Sequence, residues 1–380
     1  MSTETAIARG LDNIVVASTR LSAIDGTNGD LRYLGYSMHD LVGRVTFEEI
    51  VALLWYGELP NTTQLQAFQR DLAAARTLTA AEATLLQHAP LSGHGMDALR
   101  TLASALALLD PAAADLSLEG AERIGVRLLA KLPTLIAAWQ RLRHGLQPVA
   151  PAPMLGHAAN FLYMLHGEAP SASAVRAFDT YLVLLAEHGL NASTFAARVA
   201  IGAQADIYCA FVAALGTLKG LVHGGANQKA MEMFLEIGAP ECAADYITRL
   251  LQQRGVLMGV GHRIYKVEDP RVRHLRRQVA ALSDGAGHWP AVADAVAQVV
   301  MTHPYFVERR LVPNVEFYSA PLLYTLGLPL DLFTCAFALS RSAGWIGHVR
   351  EQIADNRLIR PKADYCGPAQ RDFVALEQRA

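Results

Sequence analysis

The chain has 380 residues, 52% of them hydrophobic, and a formal net charge of -2. That much apolar material supports a large buried core, and the near-neutral balance excludes the basic surplus on which broad nucleic-acid or acidic-membrane binding depends. Its four cysteines, Cys209, Cys242, Cys335 and Cys366, are far apart with no Cys-x-x-Cys spacing, so no zinc site is read from them and reduced thiols in a cytoplasmic protein are expected.

Glu4 and Arg9 interrupt a short polar start, leaving no signal-type apolar segment, and no apolar run reaches the length of a membrane span. Ile14-Val15-Val16 and Leu31 to Tyr36 flank the turn formers Asp25-Gly26 and Asn28-Gly29. This predicts a small N-terminal β-hairpin. Beyond it the period is helical almost throughout: Leu99, Leu102, Leu106 and Leu109 form one stripe that Asp110-Pro111 stops. The fold class is therefore mostly α. Gly145 to Pro153 is rich in proline and reads equally as a linker or as a loop within one domain. No solenoid repeat, phosphate loop or H-E-x-x-H pattern is present.

Three turns in the C-terminal half present ionisable side chains: Leu221-Val222-His223-Gly224-Gly225, Gly259-Val260-Gly261-His262-Arg263 and Val312-Pro313-Asn314-Val315-Glu316. Glycine permits close approach of backbone and ligand, and proline sets the geometry of a turn. Two imidazoles and a carboxylate suggest proton-transfer chemistry. His223 precedes a helical pattern, and the dipole at a helix N-terminus disfavours imidazolium, leaving a neutral hydrogen-bond donor for an enol or enolate. A plain capping histidine is an equal alternative at that position. Around His262 lie Arg263, Lys266, Arg271, Arg273, Arg276 and Arg277, which suit a phosphorylated or polycarboxylate ligand, although Arg273, Arg276 and Arg277 read as a solvated helix face. Arg341 sits in a stretch apolar on nearly every face. A buried guanidinium there needs an anion, either an internal carboxylate or a bound one.

Taken with Ser22-Ala23-Ile24-Asp25-Gly26, Leu53 to Pro60, Glu187-His188-Gly189-Leu190-Asn191 and Arg357 to Lys362, these turns make the chain resemble the citrate synthase family, 2-methylcitrate synthases included, over nearly its whole length. The resemblance implies a two-domain helical homodimer, with 1–224 and 328–380 as a large domain and 225–327 as a smaller one closing over the ligands. It implies condensation of an acyl-CoA, acetyl-CoA first, with oxaloacetate, followed by thioester hydrolysis. Glu316 would be the base, His223 the donor to the enol oxygen and His262 the group polarising the ketone. His188, Arg271 and Arg341 fall on the oxoacid-binding positions, and Arg360 on the position supplied by the other subunit. Lys266 would contact CoA, with Arg309 and Arg310 as weaker candidates for its phosphates. No metal or redox cofactor is implied. The family's carboxylate is most often aspartate, whereas Glu316 reaches about 1.5 Å further. A propionyl-CoA or longer-chain enzyme, and a CoA- or oxoacid-binding paralogue with little catalysis, stay open beside the acetyl-CoA reading.

Overall fold

The computed structural model describes residues 7–11, 14–282 and 287–379. A three-stranded antiparallel sheet, β1 (Ser22–Asp25), β2 (Asp30–Tyr33) and β3 (Tyr36–Ser37), precedes 17 α-helices among the described residues. The hairpin forms where the turn residues stand. The Asp25 carboxylate accepts from the amides of Thr27 (2.9 Å) and Asn28 (3.0 Å), and Gly29 turns through a positive φ of 65°. The pairing runs from Asp25 opposite Asp30 back to Ser22 opposite Tyr33. The turn therefore uses up its partner strand by Ser22, and Ile14-Val15-Val16, predicted as strand, is exposed coil with Val15 90% accessible. A β-branched run becomes a strand only against a neighbour it can pair with.

Three of the four leucines in the stripe behave as predicted, and the fourth, Leu109, is a half-buried C-cap. Leu99, Leu102 and Leu106 are buried on the helix Gly95–Leu108, which stops before Asp110-Pro111. Two longer helices form the centre of the core. In Leu118–Arg143 every residue from Leu128 to Gln140 is buried, and in Phe333–Ala354 every residue from Phe333 to Val349 is buried. A helix apolar on all sides belongs inside. Gly344 lets the second helix press on the next chain segment: its amide donates to the Ala186 carbonyl at 3.1 Å, and a Cβ there would collide with Ala186 and Glu187. That contact brings Arg341 beside the Glu187-His188 turn.

Gly145 to Pro153 is a loop between Leu118–Arg143 and His157–His166, two helices that pack on each other. It is held by Arg141 Nε on the Gln147 carbonyl (2.7 Å) and by the Ala152 amide on Asn160 Oδ1 (2.8 Å). The later helices Ala226–Ile237, Ala243–Gln252, Val272–Ala281, Trp289–Thr302 and Val315–Thr325 pack chiefly against one another. After Ala354 the tail carries only the short turn Leu376–Gln378 and exposes Leu358, Tyr365, Phe373 and Leu376. Among the described residues no helix is long and apolar enough to cross a membrane, and all four cysteines are free.

Candidate active site

The His188 turn is built on a buried carboxylate. Glu187 Oε1 accepts from Ser22 Oγ (3.0 Å) and from the Gly189 amide (2.6 Å), and lies 3.0 Å from His348 Nε2. Tyr33 Oη donates to the Glu187 carbonyl at 3.0 Å and accepts from its amide at 3.2 Å. Burial opposes charge on Glu187, but His348 and Arg341 outweigh it and hold its pKa below the ordinary value. The hairpin thus fixes the turn through Ser22 on β1 and Tyr33 on β2. Next in the chain, His188 is buried with Nε2 3.1 Å from Tyr265 Oη. Burial, with Arg271 and Arg341 nearby, drives its pKa well below the usual imidazole value.

The two buried arginines are held differently. Arg271 makes a forked pair with Asp269, Nε to Oδ1 at 2.9 Å and Nη2 to Oδ2 at 2.6 Å, and its amide also donates to Oδ1 at 3.0 Å. Burial works against its charge, yet Asp269 prevails and raises its pKa. Arg341 is 2% exposed, donates from Nε to the Leu185 carbonyl at 2.7 Å and lies 4.8 Å from the Phe337 ring centre. No carboxylate lies within ion-pair distance of it among the described residues, and burial lowers its pKa to about 10. Of the two sources weighed from sequence for its anion, no internal carboxylate among the described residues pairs with it directly, and Glu187 acts on it only electrostatically.

His223 and His262 are both neutral, in opposite tautomers. His262 Nδ1 accepts from the amides of Ile264 (3.0 Å) and Tyr265 (3.1 Å), so the ring hydrogen sits on Nε2. His223 Nε2 accepts from the Ser193 amide (3.3 Å) and meets Ser193 Oγ at 2.8 Å, so its hydrogen sits on Nδ1. Burial lowers each pKa to about 4, helped by Arg341 at His223 and by Arg271 at His262. His223 precedes the helix Ala226–Ile237 and gives it no side-chain cap, so the capping alternative falls. Glu316 stands in the first turn of Val315–Thr325. Burial raises its carboxyl pKa against the pull of Arg271 and Arg341.

These groups share one place. Arg271 acts electrostatically on His188, His262 and Glu316, and Arg341 on His188, His223 and Glu316. The ring centres of His188 and His262 are 5.7 Å apart. Lys266 adjoins this cluster, acting electrostatically on His262, and no such action links Arg309, Arg310 or Arg360 to it. Lys266 is exposed, with Nζ 3.4 Å from the Arg263 carbonyl. Arg309 stacks 4.1 Å over Tyr305, and Arg310, also exposed, adopts a positive φ of 53°. Arg360 is exposed on the C-terminal tail. Arg273, Arg276 and Arg277 form the solvated face expected of them.

Sequence reading missed Ser193, Tyr265 and Asp269. Ser193 and Tyr265 each lie two residues beyond a motif already singled out, those ending at Asn191 and Arg263, and Asp269 had only the signal of being an acid in a basic stretch. The hairpin tip also reaches this site: the Lys266 amide donates to the Gly26 carbonyl at 2.8 Å, and Cβ atoms at Gly26 or Gly29 would strike the Ile264 and Val267 residues. No group of three or more His, Cys, Asp or Glu able to hold a metal occurs among the described residues.

The family model for the citrate synthase C-terminal domain matches residues 10–362. The chain belongs to the citrate synthase family. It is 43% identical to citrate synthase 2 of Bacillus subtilis (strain 168), over 98% of this chain and 99% of that one. It is also 39% identical to the 2-methylcitrate synthase of Mycobacterium tuberculosis (strain ATCC 25618 / H37Rv), over 96% and 92%. Among solved citrate synthases, that of Pyrobaculum aerophilum superposes with a TM-score of 0.92 at 39% identity, covering 98% of this chain and 95% of its own. The Thermoplasma acidophilum enzyme, solved as a ternary complex with carboxymethyl coenzyme A and oxaloacetate, gives a TM-score of 0.92 at 28% identity, covering 98% of this chain and 100% of its own.

Proposed function

We propose that this citrate synthase family enzyme condenses acetyl-CoA with oxaloacetate to give citrate and CoA. The observation that carries the reading is the pair of neutral histidines of opposite tautomer that share the buried arginines Arg271 and Arg341 with a carboxylate whose pKa is raised. Glu316 takes a proton from the acyl α-carbon, and the electron pair left behind moves into the enol, whose oxygen is bonded by Nδ1–H of His223. A carboxylate of ordinary pKa is a weak base for such a proton, so the donor to the enol oxygen supplies much of the driving force. The enol carbon then attacks the ketone of oxaloacetate, whose oxygen His262 polarises through Nε2–H, and the proton that Glu316 removed balances the alkoxide formed, so that carboxylate and imidazole end as they began. Water cleaves the acyl-CoA adduct, leaving the CoA thiol and a new carboxylate.

His188, Arg271 and Arg341 bind the oxoacid carboxylates, Arg341 through a guanidinium that has no carboxylate within ion-pair distance among the described residues. Residues 225–327 move as a smaller domain against 1–224 with 328–380, and closure excludes water during enolisation. Two copies pair, and the tail brings Arg360 to the other copy's site, in keeping with the apolar side chains that the tail exposes. Lys266, Arg309 and Arg310 take the CoA phosphates, no metal or redox cofactor takes part, and the free thiols accord with a cytoplasmic location.

A 2-methylcitrate synthase at 39% identity keeps propionyl-CoA as the second reading, because a pocket separates one methylene by only about 1–3 kcal/mol. Release of CoA thiol with oxaloacetate and acetyl-, propionyl- or butyryl-CoA decides between them through kcat/KM. Silence with all three, from protein that still binds oxaloacetate, overturns the condensing reading in favour of a binding paralogue. Glu316→Gln is expected to cut turnover by about 10²- to 10⁴-fold while oxaloacetate binding persists.

A further inference from the structure

The base and the ketone-polarising histidine come from separate turns, and one side chain lies between them. Asn314 caps the helix Val315–Thr325, its Oδ1 accepting from the Glu316 amide at 3.1 Å. Its Nδ2 donates to the Gly261 carbonyl at 2.8 Å, in the peptide unit that leads into His262. The Asn314 amide donates to the Gly259 carbonyl at 2.9 Å, the Gly261 amide to the Val312 carbonyl at 2.8 Å, and Val260 bridges Pro313. Gly259, at a positive φ of 74°, lets the two segments close up, since a Cβ there would sit 3.1 Å from Phe317 Cα.

We propose that Asn314 is a positioning residue that sets Glu316 and His262 at their working separation. Its carboxamide is held in one orientation, because exchanging oxygen and nitrogen would face two acceptors at Gly261 and two donors at Glu316. The His262 ring is already fixed by the amides of Ile264 and Tyr265, so holding the Gly261 carbonyl fixes the other end of that turn. The two contacts are separable by substitution. Serine keeps the cap on Glu316 but is too short for Gly261, whereas alanine loses both.

The inference rests on the condensing reading above, and two measurements separate the arms. Exchange of acetyl-CoA α-hydrogens in D2O, with malate as an oxoacid that has no ketone to attack, reports on Glu316. The infrared carbonyl stretch of bound oxaloacetate reports on His262. In Asn314→Ser the shift of that stretch is expected to drop to about half or less while exchange stays within about threefold; in Asn314→Ala both fall, with kcat down about 100-fold for a displacement near 1 Å. A serine variant whose bound carbonyl keeps the wild-type frequency overturns the proposal, as does an alanine variant that exchanges at the wild-type rate. A lower melting temperature with both readouts unchanged shows a merely structural residue and also overturns it. Should the alanine variant not fold, the serine carbonyl measurement decides alone. Wild-type protein with neither turnover nor a shifted carbonyl refutes the condensing reading instead.

Discussion

His223 and His262 reach the same state, a neutral imidazole with one free N–H, from opposite starting points. His262 is fixed by amides two and three residues along its own chain, within a turn bracketed by Gly259 and Gly261. His223 is fixed by Ser193, thirty residues earlier, whose hydroxyl is itself held by Trp345 Nε1 at 3.1 Å and lies 2.8 Å from Asn191 Oδ1. The first tautomer is written into a local turn and the second depends on the assembled core. The contrast teaches that a chemical state can be secured by backbone geometry or by tertiary packing, and that the two forms of security fail differently.

Removing either ring is the strongest test. His262→Ala and His223→Ala are each expected to lower kcat by about 10²- to 10³-fold, the usual cost of a lost donor to a developing oxyanion. Only His262→Ala should also return the carbonyl stretch of bound oxaloacetate toward its free value; loss of the shift in both variants would break the division of labour. A smaller effect separates the two modes of support. Gly261 stands at a positive φ of 87° with Leu311 Cδ2 3.0 Å from where a Cβ would lie. Gly261→Ala forces about 1–2 kcal/mol of left-handed strain onto the turn, so turnover is expected to fall about tenfold. Ser193→Ala keeps the amide that defines the His223 tautomer and loses only the hydroxyl, worth about 1 kcal/mol, so about a fivefold loss is expected from steady-state kinetics.

The smallest effects come from pH. With both catalytic histidines lowered to about 4, activity is not expected to show an imidazole step near 6.5. If Glu316 is the base proposed above it must be ionised to act, and its raised pKa then puts the loss of kcat above the ordinary carboxylate range as pH falls. For stability the sign follows from proton counts. His223, His262 and His274 titrate at about 4 in the folded chain and near 6.5 when unfolded. Between these values the unfolded chain binds more protons, so their contribution is complete above pH 6.5 and is lost as pH falls toward 4. His157, lowered to about 3, and His188, lowered well below the ordinary value, add to this trend; Glu316 opposes it, so the fall in melting temperature with falling pH should be steeper in Glu316→Gln.

The helical class, the hairpin, the leucine stripe and the three presenting turns were legible because each depends on residues close in sequence: a period, a stop signal, a glycine or proline. The Ile14 to Val16 strand was misread because pairing depends on where a distant turn sets the register. Within the site, the three turns could be found but their partners could not. Ser193 answers His223 across 30 positions and Ser22 answers Glu187 across 165. Asp269 is only two residues from Arg271, yet nothing local distinguishes a forked buried pair from two solvated charges.

The exposed turn after β1 carries one more implication. Surface loops at hairpin tips are ordinarily the places where a chain accepts extra residues or a grafted tag. At Gly26 and Gly29 there is room for neither a side chain nor a changed path, because the tip closes against the segment that follows His262 while Ser22 and Tyr33 grip the His188 turn from the same ribbon. For anyone engineering this protein, the hairpin is thus a poor graft site: a lengthened tip would leave the helical body folded and misalign His188 and His262 at once.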